Sequence, residues 1–274
     1  MGKKSSESIN ILFGILQAVY LIAVLVFFYQ TNFPKPIRYP ALISCLALPY
    51  ILVKTKSYWY FGTSLTIYTI VWGFFGDVPE LHILNETIRN LYFHVPMWFA
   101  MVIILFISMI YSIRFLSSNN LKHDIIAKEF ANMGVLLGVL GILTGMLWAQ
   151  FTWNKFWSGD PKQNAAAIGL LSYFAYLILR NSFNDDLQRA KISAIYNVFA
   201  YPIFLVLIFV LPRMTANSLH PGIGGNPAFS EMDLNDNMRT IFYPAIIGWT
   251  LLSVWICTLK IRTQQLYNKV HDLI

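Results

Sequence analysis

The chain is dominated by long stretches that carry almost no charge, at about residues 9–30, 39–53, 57–76, 94–113, 126–148, 164–179, 194–212 and 240–259. A bilayer core ~30 Å thick takes about 20 apolar residues as a helix, because no water is present there to satisfy backbone N–H and C=O groups. Eight candidate spans follow, and with them an all-α fold, a polytopic membrane helical bundle. The second run is short and carries Pro40 and Pro49, which suits a tilted, re-entrant or interfacial segment. Residues 1–56 therefore read as an N-terminal extension with one or two spans, 57–262 as a six-helix core, and 263–274 as a cytoplasmic tail. Composition agrees, with 57% apolar and 12% charged residues, against about 25% charged in soluble domains.

A net charge of +7 would suggest nucleic acid in a soluble protein, but in a membrane protein basic residues mark the cytoplasmic loops. With the N-terminus inside and all eight runs spanning, the inside segments hold 13 of the 20 Lys and Arg residues. Both termini are then cytoplasmic, and the loops 77–93, 149–163 and 213–239 lie outside. The first run, preceded by Lys3 and Lys4, is too long for a signal peptide and lacks a small-x-small cleavage site, so it reads as a retained helix. Cys45 and Cys257 stand far apart with no C-x-x-C, which excludes a thiol-redox motif, a covalent haem attachment site and a disulfide framework.

Ion-coupled transporters need ionisable groups at membrane depth. Only Lys128 and Glu129 come near, one turn inside the cytoplasmic end of their span, so a small-solute permease is disfavoured. No span carries a deep histidine for haem held between helices. Gly134, Gly138, Gly141 and Gly145 read as close helix packing.

The polar chemistry collects outside. Of five histidines, His123 and His271 face the cytoplasm, while His82, His94 and His220 face outside. His94 stands in Tyr-Phe-His-Val-Pro and His220 in Leu-His-Pro-Gly. Between them runs WAQFTWNKFWSGDPKQ, Trp148 to Gln163, with Trp148, Phe151, Trp153, Phe156 and Trp157 ahead of Asp160. One reading is an aromatic belt at the headgroups; the other is a shelf on which a planar ligand stacks. Two imidazoles complete the octahedron of a porphyrin iron, so histidines flanking such a shelf point to haem. Lys155, Lys162, Arg89, Arg213 or Arg239 could meet its propionates.

These motifs resemble the tryptophan-rich WWD signature and the two outside histidines of the CcmC, CcmF and CcsA superfamily of cytochrome c biogenesis. The resemblance runs from about Trp72 to Arg262 and is nearest to the CcmC type, the haem exporter or haem lyase proteins with one pair of outside histidines. It implies haem b carried as a transferred ligand at the outer face of a bacterial cytoplasmic membrane. His94 and His220 would be its axial ligands, and Trp148, Trp153, Phe156, Trp157 and Asp160 would line the site. Implied partners are a periplasmic haem chaperone of the CcmE type and ABC transporter components of the CcmA and CcmB type. Asp160, unable to stack, is expected to fix the loop through backbone amides or to orient a partner. Gly159 stands where the family usually has a tryptophan, so Gly159→Trp is expected to restore a ring. Asn154 and Ala149 replace glycines frequent in the motif, and residues 1–56 add helices that the family does not explain. The alternative within the superfamily is a CcsA-type component presenting haem directly to apocytochrome c.

Overall fold

The structure, a computed structural model, describes residues 15–16, 19–20, 22–30, 58–79, 84–214, 218–220 and 234–271, and every regular element among them is helical. Helix α1 covers residues 22–30. The core follows as α2 (Tyr58–Phe75), a 3-10 turn (Asn85–Asn90), α3 (Leu91–Ser118), α4 (Leu121–Trp153), α5 (Pro161–Asn181), α6 (Asp186–Leu205), a π turn (Val206–Val210), α7 (Leu211–Met214) and α8 (Asp236–Val270). Each of the six expected core runs falls in this series. Four helical stretches, 85–118, 121–153, 186–214 and 236–270, are long and apolar enough to cross a membrane. The protein is an all-α, multi-pass membrane bundle. The run at 39–53 lies outside the described residues, as do most of residues 1–21.

Local chemistry sets the helix ends. Asn120, Asp160, Asp185 and Asn235 each stand at an N-cap and accept a hydrogen bond from a backbone N–H of the first turn, satisfying donors that the helix leaves free. Asn119 and Asn154 close α3 and α4 in the left-handed region, with φ of 51° and 56°, a conformation that asparagine tolerates nearly as well as glycine. The glycine-to-asparagine departure at 154 is thus conservative in backbone terms. The π turn lies just past Pro202, which lacks the N–H a regular helix requires.

Two glycine contacts bring α2 and α8 together. A Cβ at Gly62 would meet Leu251 Cβ at 2.7 Å, and one at Gly248 would meet the Thr66 amide at 2.9 Å. The hydroxyls of Thr63, Ser64, Thr66 and Thr69 bond the carbonyl one turn back in α2, which lets these polar residues sit in an apolar bundle. Leu25 and Phe28 of α1 are buried with residues of α2, α3 and α8, so this part of the N-terminal extension packs on the core. On the other side Asn197 of α6 donates to Ser108 and Ser112 of α3 at 2.8 and 2.9 Å, and Ser108 donates to the Ala127 carbonyl of α4 at 2.6 Å.

Helices α3 and α4 form an antiparallel pair, joined by the Asn119–Asn120 link. Their contact is a ladder in which each α4 glycine receives one α3 side chain: Leu105 on Gly134, Met101 on Gly138, Trp98 on Gly141 and His94 on Gly145. Both series step by four, three and four residues, which keeps the contacts on one face of each helix. The packing reading of this stripe holds, and it ends at a histidine.

Candidate functional site

The site forms at the end of the bundle where α3 begins, α4 ends and α5 begins. His94 lies in the first turn of α3 and is half-buried. Its Nδ1 is 2.9 Å from the Gly141 carbonyl and 3.2 Å from Thr144 Oγ1, both on α4. A carbonyl only accepts, so Nδ1 carries the proton and Nε2 keeps the lone pair.

The aromatic stretch is not a loop throughout. Helix α4 continues to Trp153, so Trp148, Phe151 and Trp153 are helical and only residues 154–160 form the link to α5. This corrects the expected span end at 148: Gln150 and Thr152 lower the hydropathy without stopping the helix, which ends only at the Asn154 C-cap. Trp148 and Trp153 meet edge to face with ring centroids 5.3 Å apart. Both also meet His220, Trp153 at 4.9 Å and Trp148 at 6.3 Å. Trp157 turns elsewhere, its indole N–H donating to Asn164 Oδ1 at 3.1 Å. Phe151 and Phe156 are exposed.

Asp160 ties the site together. It is the N-cap of α5, accepting from the Lys162 amide at 2.8 Å through Oδ1, with Pro161 at the first helical position. Its other oxygen accepts from the Leu219 amide at 2.6 Å and the Ser218 hydroxyl at 3.0 Å. His220 Nδ1 donates to Oδ1 at 2.9 Å, with the Asp160 side chain fully buried and the His220 ring 22% exposed. Burial pushes the Asp160 carboxyl up, but the Leu219 amide, His220, the Lys162 amide and the Ser218 hydroxyl outweigh it and hold the group below its ordinary value. Burial pushes the His220 imidazole down, Lys162 acts the same way, and together they outweigh the upward pull of Asp160. At neutral pH the pair is thus a carboxylate and a neutral imidazole whose Nε2 keeps its lone pair. The expectation that Asp160 fixes the loop through backbone amides agrees with this geometry. Its bond to His220, across 60 residues of sequence, had no local signal.

The two histidines therefore share one arrangement: Nδ1–H anchored, by a carbonyl in one case and a carboxylate in the other, with Nε2 available as a donor atom. Such anchoring fixes the tautomer and ring orientation of a metal-binding histidine. Among the described residues no group of three or more His, Cys, Asp or Glu side chains is placed to hold a bare metal ion. Two imidazoles suit an iron whose equatorial positions are already filled, as in haem.

The remaining candidates separate. His123 bonds Ser118 at the opposite end of the α3–α4 pair, at 3.0 Å. His271 packs on Tyr267 near the end of α8; His82 lies outside the described residues. Arg89 is committed to structure, bonding Glu86 and the carbonyls of Gly73 and Gly76, while Lys155 is exposed on the link. Gly159 has φ +76° with open space around it. Gly159→Trp therefore has room for the ring that is expected to keep or strengthen haem binding, but it places that ring on left-handed backbone and so under strain. One feature of the opposite end escaped the sequence reading. Arg180 grips Asp124 through two bonds of 2.7 and 2.5 Å, both residues buried.

Fold and site together define a multi-pass helical membrane protein that presents two anchored imidazoles and two packed tryptophans at one end. Residues 45–273 match the family heme exporter protein C. The chain belongs to that family. It is 23% identical to heme exporter protein C of Paracoccus denitrificans over 74% of this chain and 83% of the relative. To the same-named protein of Rhodobacter capsulatus it is 24% identical over 71% and 79%. A shorter stretch, 34% of this chain and 31% of the relative, is 30% identical to the cytochrome c biogenesis protein CcsA of a Synechococcus strain.

Proposed function

We propose that this protein holds haem b at the outer face of a bacterial cytoplasmic membrane, with His94 and His220 as axial ligands, and passes it to a periplasmic haem chaperone of the CcmE type for cytochrome c maturation. The observation that carries the reading is the matched pair of Nδ1-anchored imidazoles beside Trp148 and Trp153. Family membership supports haem as cargo, since the relatives are named for its export. Lys and Arg asymmetry supports cytoplasmic termini and a periplasmic site. ABC transporter components of the CcmA and CcmB type are the proposed membrane partners.

The residues of the chain divide the work. His94 and His220 supply ligand nitrogens, Gly141 and Asp160 hold their tautomers, and the faces of Trp148 and Trp153 exclude water on one side. Haem is bound and released, so Asp160 serves orientation rather than covalent chemistry. The test is haem loading of the chaperone in cells: His94→Ala and His220→Ala each stop it, whereas His123→Ala leaves it intact. Equal loading by all three variants overturns the ligand assignment. The shared stretch with CcsA favours a second reading, in which haem goes directly to apocytochrome c. Cytochrome c maturation that persists without the chaperone would select it.

A further inference from the structure

Four glycines of α4 receive α3 side chains, aliphatic ones at Gly134 and Gly138 and rigid rings at Gly141 (Trp98) and Gly145 (His94), and of the two rings His94 is the one hydrogen-bonded to α4. A Cβ at Gly134 would stand 2.3 Å from Leu105 Cδ2, and one at Gly138 would stand 2.7 Å from Leu170 Cδ1 and 2.9 Å from Met101 Sδ. These atoms belong to flexible aliphatic chains that yield by rotamer changes, although at Gly134 the Leu105 Cγ also stands at 2.7 Å, so χ1 must turn there as well as χ2. At Gly145 the same atom would stand 2.6 Å from His94 Cε1, 3.2 Å from Nδ1 and 3.4 Å from Nε2. The imidazole is rigid, and it is pinned at Nδ1 by the Gly141 carbonyl at 2.9 Å with Thr144 Oγ1 at 3.2 Å. It can yield to a methyl at 145 only by tilting about that anchor or by breaking it. Either motion moves Nε2, the atom on the far side of Cε1.

We infer that Gly145 is a positioning residue for His94: by lacking a side chain it lets the imidazole lie against α4, and with the Gly141 carbonyl and the Thr144 hydroxyl it fixes where the free ring nitrogen stands. The inference rests on the reading of His94 as a haem ligand. Three neighbouring residues of α4, all within one turn, thus set the tautomer, the anchor and the resting surface of the ring. The glycine stripe has two functions along its length. Its lower part, Gly134 and Gly138, allows close helix packing, and Gly145 at the outer end sets ligand geometry. A ligand displaced by a few tenths of an ångström loses overlap with an iron whose other axial partner is fixed independently by Asp160.

The experiment compares Gly145→Ala with Gly134→Ala, in the full chain purified in detergent after co-expression with the haem chaperone. Absorption and EPR spectra report the spin state of bound haem, and imidazole at about 50 mM, which fills a site of about 1 mM Kd almost completely, is added to each sample. Gly134→Ala, the packing control with the tighter clash, keeps the low-spin signature of two nitrogen ligands. Gly145→Ala shifts to high-spin, five-coordinate haem with retention weakened about 10–100-fold, and imidazole returns it to low spin by replacing the missing ligand. Should Gly145→Ala not accumulate, Thr144→Val has nearly the same volume and no hydroxyl partner for Nδ1, and it shows a smaller shift in the same direction.

Low-spin haem in Gly145→Ala without added imidazole overturns the inference. So does loss of haem from Gly145→Ala and Gly134→Ala alike with no recovery in imidazole, which is the signature of packing alone. His94→Ala separates the two levels. If its spectrum equals that of the unaltered protein, the ligand reading itself falls; if it turns high-spin while Gly145→Ala does not, only the positioning role falls.

Discussion

Replacing Asp160 by alanine removes two supports at once, and their sizes can be read from the bonds. The N-cap bond to the Lys162 amide is worth about 1 kcal/mol. The bonds from the Leu219 amide, the Ser218 hydroxyl and His220 go to a charged acceptor, worth about 1.5–3 kcal/mol each when fully buried. Leu219 is more than half exposed, so water replaces part of that. A net loss of about 2–4 kcal/mol for the segment 218–220 is the reasonable sum. Hydrogen exchange measured by mass spectrometry reads this at the Leu219 amide, whose exchange should quicken about 30- to 700-fold, tenfold for each 1.4 kcal/mol. Asp160→Asn must fall between. Each carboxylate oxygen already holds one backbone N–H, and an amide keeps only one acceptor, so one of the two N–H groups meets an NH2 instead. Alanine with unaltered exchange at Leu219, or asparagine as damaging as alanine, refutes the account of Asp160 as the tie between α5 and the His220 segment.

Trp153→Ala should lower haem retention more than Trp157→Ala, because Trp153 packs on His220 while Trp157 is bonded to Asn164; haem per purified chain decides it, and the reverse order refutes it. Gly159→Trp should lower thermal stability by about 1–3 kcal/mol through its left-handed backbone, with Gly159→Asn milder, as unfolding curves in detergent will show. Arg180→Met strands a buried Asp124 and should cost about 3–5 kcal/mol, whereas Arg180→Met with Asp124→Leu should regain most of it. A double mutant no more stable than the single one contradicts that pairing.

The six core helices were legible because an apolar run of span length has one stable backbone solution in lipid. Their ends were less so. Hydropathy falls at Gln150, but the helix reaches Trp153, and Arg180 and Asp124 lie beyond the apolar runs that marked their helices. At the site, residue identities were legible and their connections were not. Asp-Pro at 160–161 announces a helix N-cap by local rules, and the carboxylate does cap. Its second task, holding residues 218–220, depends on a pairing that no local pattern encodes. In the same way the spacing of Gly134, Gly138, Gly141 and Gly145 announced a packing face, but only the packed α3 helix reveals that Gly145 faces a histidine. Trp157 stood with Trp153 in the sequence, and the turn at Asn154 and Gly159 sends the two rings to different partners.

The central claim is that one haem iron is bound between His94 and His220. Its most direct test is the absorption spectrum of the detergent-purified protein co-expressed with its haem chaperone, recorded as isolated and after reduction, beside His94→Ala and His220→Ala. The account predicts a Soret band with low-spin character in the unaltered protein and a shift to high spin in each variant, restored in each by added imidazole. A spectrum that is unchanged when both histidines are replaced, or a protein that never carries haem, would contradict it.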